Sequence, residues 1–216
     1  MTATIYLSRH GQTKQNEMKV ITGKHWQHGW EKIPGILDLT EFGKRQAATL
    51  GNYLGNLLLY ELKRDPSGIN LVTSEEKRSR KTGRIVAEII GIPEENMRGY
   101  SSLNEQVPEE WVEDKDSGKF PVEFYQGLKP KKEVAEETKL QLESVAEEFP
   151  GSAIIAPLHS ARNVCFLNSL GYDVRRFGNC GLVTLEYKRG KFSVLDEIIS
   201  NETMFFELEG IETWDE

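Results

Sequence analysis

The sequence predicts an α/β fold in which a mostly parallel sheet is covered by helices on both faces. Short apolar runs of strand length alternate along the chain with longer amphipathic segments of helical spacing. Such alternation is typical of parallel strands that are joined by crossover helices. The length of 216 residues suits a single α/β domain, so we expect residues 1–216 to form one domain around one core.

The predicted strands are the short apolar runs, and each of them ends in a loop. In chain order they cover residues 3–8, 69–73 and 152–158, followed by a C-terminal hairpin of 181–187 and 192–199 around Lys188-Arg189-Gly190. Alternating apolar and turn-forming residues of this kind indicate strands and hairpins.

The predicted helices carry apolar stripes. Thr40 supplies an N-cap hydroxyl for a helix over about 41–63. The apolar positions of that helix are Phe42, Ala47, Leu50, Leu54, Leu57 and Leu58. Further helices are predicted over 76–90, 132–147 and 160–169. The apolar positions of 132–147 are Val134, Leu140, Leu142 and Val145.

Composition narrows the function classes. A net charge of −7 argues against nucleic acid or an anionic membrane as a general partner, so an anionic substrate needs a local positive pocket. Cys165 and Cys180 lie in apolar surroundings and indicate neither a disulfide framework nor a thiolate metal site. The chain shows no signal-peptide pattern and no apolar run of about 20 residues. We therefore expect a cytoplasmic protein, and the sequence indicates no oligomeric state.

The most informative motif, Arg9-His10-Gly11, directly follows the first strand. Open α/β sheets build their sites at the carboxyl ends of strands. Arginine offers a planar charged fork that suits phosphate oxygens, and histidine offers a nitrogen nucleophile or base near neutral pH. Gly11 lets the backbone approach an oxyanion. Taken alone, the tripeptide also fits an ordinary loop, so further residues are needed to distinguish a functional site from a loop.

Three later segments also carry candidate site residues, in loops or at helix starts. The second strand leads to Ser74 and to a basic helix start with Arg78, and Glu105 follows in a later loop. The strand over 152–158 ends at His159. Each residue also has a structural interpretation: a solvated basic helix face, one of many carboxylates, or a core histidine. Together, the four segments offer two arginines, two histidines and a glutamate to one cleft.

These pieces resemble the histidine phosphatase superfamily, in its phosphoglycerate-mutase-like branch. The resemblance spans residues 3 to about 187, and its pieces occur in the family's order. They are Arg9-His10-Gly11-Gln12-Thr13 with Asn16, Ile21-Thr22-Gly23, Leu39 to Ala47, Ser74 with Arg78 and Thr82, Leu103-Asn104-Glu105, and His159. The resemblance implies a three-layer αβα sandwich and a small-molecule phosphate ester as substrate, with no metal and no other cofactor.

The resemblance also assigns roles to residues. His10 would be the nucleophile that forms a phosphohistidine, and Glu105 would be the proton donor to the leaving group. Arg9, Arg78 and His159 would hold the phosphoryl oxygens. The expected substrate-binding residues are Asn16, Thr22, Gly23 and Ser160.

Two departures from the family pattern bear on substrate choice. Ser160 follows His159 where the family commonly has glycine, so its hydroxyl is a candidate substrate contact. Glu75 and Glu76 follow Ser74 where the family usually has small or apolar residues. Their charge is expected to repel a second phosphate or carboxylate.

The sequence favours a phosphatase but leaves alternatives. Family mutases carry paired arginines in the segment after the acid, and residues 106–150 here contain no arginine. A cofactor-dependent phosphoglycerate mutase is the first alternative, and a catalytically silent phosphate-ester-binding regulator is the second. A metal-dependent hydrolase that uses His10 and His159 is the third. Irregular insertions at 24–37 and 107–131, both rich in aromatic residues, are candidates for the wall of the substrate mouth.

Overall fold

The computed structural model describes residues 2–18, 35–106, 108–109 and 128–209. The predicted contacts Thr22 and Gly23 lie outside the described residues, as do most of the two insertions and residues 210–216. The strands are β1 Thr2–Arg9, β2 Ile69–Ser74, β3 Met97–Tyr100, β4 Ala153–Leu158, β5 Leu182–Lys188 and β6 Lys191–Val194. The helices are α1 Lys14–Glu17, α2 Glu41–Gly55, α3 Lys77–Ile90, α4 Lys131–Glu148, α5 Ser160–Ser169 and α6 Asn201–Leu208.

The described strands form one mixed sheet in the order β3-β2-β4-β1-β5-β6. The pairs β3–β2, β2–β4 and β4–β1 are parallel, while β5 and β6 extend the sheet as an antiparallel hairpin. Four neighbouring strands therefore end at the same edge of the sheet. This confirms the predicted α/β fold with a mostly parallel sheet.

Two apolar clusters cover the two faces of the sheet, as the three-layer prediction requires. One cluster packs Leu142 of α4 and Phe166 of α5 against Ile5. The other packs Leu50 of α2 and Val86 of α3 against the opposite face. Successive strand residues point to opposite faces, so a strand that is covered on both sides is rich in apolar residues at consecutive positions. β2 and β4 are buried at every position.

The structure corrects several details of the predicted helices. The helix predicted over 41–63 is α-helical only to Gly55 and continues as a π-helical segment over Asn56–Glu61. Phe42 and Leu140 were placed on the buried stripes, yet both side chains are exposed. Phe42 instead lies against the Arg45 guanidinium, with the arginine carbon 5.7 Å from the ring centre. None of the helices in the described part of the chain has the combined length and apolar character of a membrane span.

Three elements were not predicted, and the second strand of the hairpin is shorter than predicted. β3 is a half-exposed edge strand with the sequence Met-Arg-Gly-Tyr, which has no apolar run. α1 has four residues, too few for a periodic pattern. α6 begins at a Ser200 N-cap that the sequence prediction overlooked. β6 ends at Val194; beyond it the Leu195 amide still donates to the Thr184 carbonyl of β5, and Ile199 returns to β5 through a bridge to Leu182.

Candidate active site

The sheet brings the predicted catalytic residues to one edge. His10 follows β1 and His159 follows β4, and these neighbouring parallel strands end in register, with Arg9 opposite Leu158. Arg78 lies in the first turn of α3, after β2, and Glu105 follows the short turn after β3. The two imidazole ring centres are 5.3 Å apart, at an angle of 63°. Four segments far apart in sequence thus meet at the carboxyl ends of four adjacent strands.

His10 is held in one tautomer by its own loop. Its Nδ1 lies 2.8 Å from the carbonyl oxygen of Gly11, and a carbonyl only accepts hydrogen bonds, so Nδ1 carries the proton. This leaves Nε2 with a lone pair. Burial, reinforced by the positive charges of Arg78 and Arg9, holds the pKa of His10 well below its usual value. The imidazole is therefore neutral at physiological pH, as a nucleophile must be.

Hydrogen bonds to β4 and to α3 hold the His10 loop. The His10 amide donates to the Leu158 carbonyl (3.0 Å), which ties the loop to β4. The Gly11 amide donates to the Thr82 hydroxyl on α3 (3.0 Å), and that hydroxyl donates to the Arg78 carbonyl (2.9 Å). One buried hydroxyl thus links the His10 loop to the backbone of Arg78.

Arg9 is anchored on the opposite side of the site. Its Nη1 donates to the Phe177 carbonyl (3.0 Å), which also accepts a hydrogen bond from the Ser160 hydroxyl (3.2 Å). The Ser160 hydroxyl and Arg9 thus share one carbonyl acceptor, and the predicted contact of Ser160 with substrate stays a prediction. The Arg9 Nε is buried and has no hydrogen-bond partner among the described residues.

His159 and Glu105 form the inner wall of the site. The His159 ring is fully buried, and its Nε2 lies 2.7 Å from the Ser74 hydroxyl. Its Nδ1 lies 3.6 Å from Glu105 Oε2. Neither His159 Nδ1 nor Glu105 Oε1 has a hydrogen-bond partner within the described ranges. Buried polar atoms are nearly always paired in native proteins, so unpaired atoms in one cleft call for a polar ligand.

The environment of Glu105 suits a proton donor. Burial raises the pKa of this carboxyl to about 7, against the lowering influence of Arg78 and with a further raising influence from Glu76. A carboxylic acid with this pKa exists in both protonation states near neutrality. It can therefore donate a proton in one step and accept one in the next.

Arg162, which the sequence interpretation missed, and Asn104 support the loop around Glu105. Arg162 is buried on α5, donates through Nε to the Asn104 carbonyl and pairs with Glu137 (3.5 Å). The Asn104 side chain accepts from the Glu75 amide (3.0 Å). Arg162 follows His159 by three residues, so helical spacing on α5 was a usable signal.

Asn16 lies near the His10 loop, and its side-chain oxygen accepts two hydrogen bonds. It accepts from the Thr13 amide (3.1 Å) in a capping box and from Asn179 Nδ2 (3.2 Å). Asn179 also donates to the His10 carbonyl (2.9 Å). The described contacts thus place Asn16 in the support of the His10 loop, and its predicted contact with substrate stays a prediction.

Three of these side chains have the spacing of metal ligands. His10, Glu105 and His159 each offer one ligand atom, and these atoms all lie within 4.8 Å of one another. The charges favour an anion instead, because the positive charges of Arg9 and Arg78 act on both imidazoles. A divalent cation would be repelled by the groups that attract a phosphate.

Comparison with known proteins agrees with this arrangement. A model of the histidine phosphatase superfamily (branch 1) matches residues 5–198. The uncharacterized phosphatase PhoE of Bacillus subtilis (strain 168) is 25% identical over 211 residues, which cover 95% of this chain and 99% of that protein. Among solved structures, a mycobacterial glucosyl-3-phosphoglycerate phosphatase matches with a TM-score of 0.66 at 17% identity, covering 93% of this chain and 100% of that one. A phosphoglycerate mutase from Bacillus anthracis str. Sterne also matches with a TM-score of 0.66, at 16% identity and with coverage of 94% and 96%.

Proposed function

We propose a reaction and a mechanism for this chain, which belongs to the histidine phosphatase superfamily and is an enzyme of the phosphatase type. The proposed reaction is the metal-independent hydrolysis of a small phosphomonoester through a phosphohistidine on His10. The observation that carries the proposal is the state of His10, a buried neutral imidazole with a free Nε2 beside two guanidinium groups.

In the first step, the Nε2 lone pair of His10 attacks phosphorus in line with the leaving oxygen. The N–P bond forms as the P–O bond to the leaving group breaks. Phosphoryl transfer depends mainly on positioning and on neutralising the charge of the equatorial oxygens. Arg9 and Arg78 supply fixed positive charge for this purpose, and His159 lies beside them with an unpaired Nδ1. Glu105, protonated at this stage, gives its proton to the leaving alkoxide.

In the second step, water hydrolyses the phosphohistidine. Glu105, now a carboxylate, takes a proton from the attacking water while the new O–P bond forms. The N–P bond breaks, its electron pair returns to Nε2, and inorganic phosphate leaves. A carboxyl pKa of about 7 suits both steps, because the acid of the first step is the base of the second.

The proposal is tested by phosphate release from a panel of monoesters in the presence of EDTA. The panel contains p-nitrophenyl phosphate, phosphoserine, 3-phosphoglycerate and a sugar phosphate. We expect wild type to release phosphate and His10→Ala to release none. His159→Ala is expected to retain the fold and a small part of the activity. Residual activity in His159→Ala, but none in His10→Ala, would distinguish a phosphate ligand from the nucleophile.

Three outcomes would overturn the proposal. Loss of wild-type activity with EDTA, restored by a divalent ion, would support the metal-dependent alternative. Interconversion of phosphoglycerates with a bisphosphate primer, with little free phosphate, would make the chain a mutase. Tight ester binding without turnover would make it a binding protein.

A further inference from the structure

An acidic side chain, Glu76, lies within the cationic pocket. Its Oε2 forms an ion pair with Arg78 Nη2, and its Oε1 accepts the Glu105 amide proton (2.6 Å). The same Oε1 lies 4.0 Å from His159 Nε2. One carboxylate thus contacts the phosphate-binding arginine and the backbone of the proposed proton donor.

The capping of helix α3 does not explain the position of the Glu76 side chain. Glu76 occupies the N-cap position of α3, where a side-chain oxygen normally accepts from the first turn, but it makes no such bond. Its own amide donates to the Ser74 hydroxyl (3.2 Å), so the backbone turn is formed without the carboxylate. Both carboxylate oxygens are directed to the site.

The neighbouring Glu75 provides a natural contrast. Its side chain is exposed, whereas Glu76 is half-buried. Glu75 lines a different groove, together with Lys77 and Arg98. The two adjacent residues have the same charge and differ in whether the charge faces the site.

The position of Glu76 relates it to the leaving group rather than to the phosphoryl group. Glu105 protonates the leaving oxygen in the proposed mechanism, and Glu76 is bonded to the Glu105 amide. The phosphoryl group still meets the Arg9 guanidinium and the remaining donors of Arg78. A second anionic group on the alcohol would instead approach a fixed negative charge that is only partly shielded by Arg78.

We infer that Glu76 selects phosphomonoesters whose alcohol carries a neutral or cationic group next to the phosphate, and rejects esters with a carboxylate or second phosphate there. This inference rests on the proposed function, because it requires that the site accept a phosphate ester. Like charges about 6 Å apart at a partly buried site discriminate by about 10- to 100-fold after screening.

Three esters of similar size test the inference: 2-aminoethyl phosphate, 2-hydroxyethyl phosphate and phosphoglycolate. For wild type we expect kcat/KM for the hydroxyl ester to exceed that for the carboxylate ester by at least about tenfold. The ammonium ester is expected to equal or exceed the hydroxyl ester. Because all three share the phosphoryl group, their ratios cancel any general effect of a substitution on folding or phosphate binding.

Glu76→Gln should bring the hydroxyl-to-carboxylate ratio close to one, and Glu75→Gln should leave the wild-type ratio in place. A Glu76→Gln ratio equal to that of wild type would overturn the inference. So would an equal change in Glu75→Gln, because that result would indicate a general charge effect.

Binding of the same esters to the His10→Ala protein, measured by calorimetry, separates this inference from the proposed function. Suppose that wild type hydrolyses none of the esters, but that Glu76→Gln changes the hydroxyl-to-carboxylate ratio of binding constants in the His10→Ala protein. The inference then stands and the hydrolytic function fails. If hydrolysis is present and the ratios do not change, the function stands and the inference fails. If wild type neither hydrolyses nor binds any of the esters, both fail.

Discussion

Replacement of Thr82 by valine removes the hydroxyl that connects the nucleophile loop to α3 while conserving side-chain volume. The Gly11 amide would lose its acceptor at 3.0 Å in a fully buried position. An unsatisfied buried donor costs about 1–3 kcal/mol, and in a chain of this size about 2 kcal/mol lowers the midpoint of thermal unfolding by about 4–8 °C. The Gly11 carbonyl also holds the His10 ring, so displacement of Gly11 should lower kcat about tenfold or more.

The assay combines urea unfolding with kcat and KM at 25 °C, where the variant remains folded. Thr82→Ser is the matched control, because it keeps the hydroxyl and deletes one methyl group. We expect the serine variant to retain most of the activity even if it loses some stability. A valine variant with wild-type stability and wild-type kcat would refute the role of this hydroxyl.

Four further predictions concern Glu105, Gly43 and Ser74. Because burial raises the pKa of Glu105 to about 7 in the ligand-free site, kcat/KM for esters with poor leaving groups should fall as pH rises through 7. Glu105→Gln should have a low kcat/KM that does not show this decline. For the same reason, the contribution of Glu105 to stability is fully present below its ordinary pKa of 4.5 and is lost as pH rises through about 7. The free energy of unfolding, measured with urea, should therefore be lower at pH 8 than at pH 5. This difference should be smaller in Glu105→Gln than in wild type. Gly43→Ala would place a methyl group 2.0 Å from the Gln12 carbonyl oxygen, so it should lower the free energy of unfolding by about 1–3 kcal/mol and also lower kcat. Gly55→Ala lies in the same helix, and its methyl group would meet nothing closer than 3.9 Å. This variant should keep wild-type stability and activity. Ser74→Ala would leave His159 Nε2 without its hydroxyl partner and should lower kcat about tenfold, and an unchanged kcat would contradict the positioning role of Ser74.

The sequence predicted the parallel strands and the meeting of the catalytic residues for a physical reason. Strands buried on both faces are rich in apolar residues, which are visible in the sequence, and the residues after parallel strands meet at one sheet edge. His10, His159 and Arg78 were therefore accessible to prediction. β3 was not, since a half-exposed edge strand does not require an apolar run.

Side-chain partners beyond the motifs were less accessible. The opposite orientations of Glu75 and Glu76 depend on the backbone turn at the start of α3, which no periodicity encodes. The engagement of Ser160 with Phe177 depends on a loop that is distant in sequence. In both cases the sequence indicates which side chain is present but not the direction in which it points.

The proposed mechanism requires that His10 Nε2 become phosphorylated during turnover. Rapid quenching with a ³²P-labelled ester tests it directly: we predict an acid-labile, base-stable label on the peptide that contains His10. The label should form at least as fast as kcat and should be absent from His10→Ala. Steady turnover without any label on His10, or with the label on another residue, would contradict the mechanism.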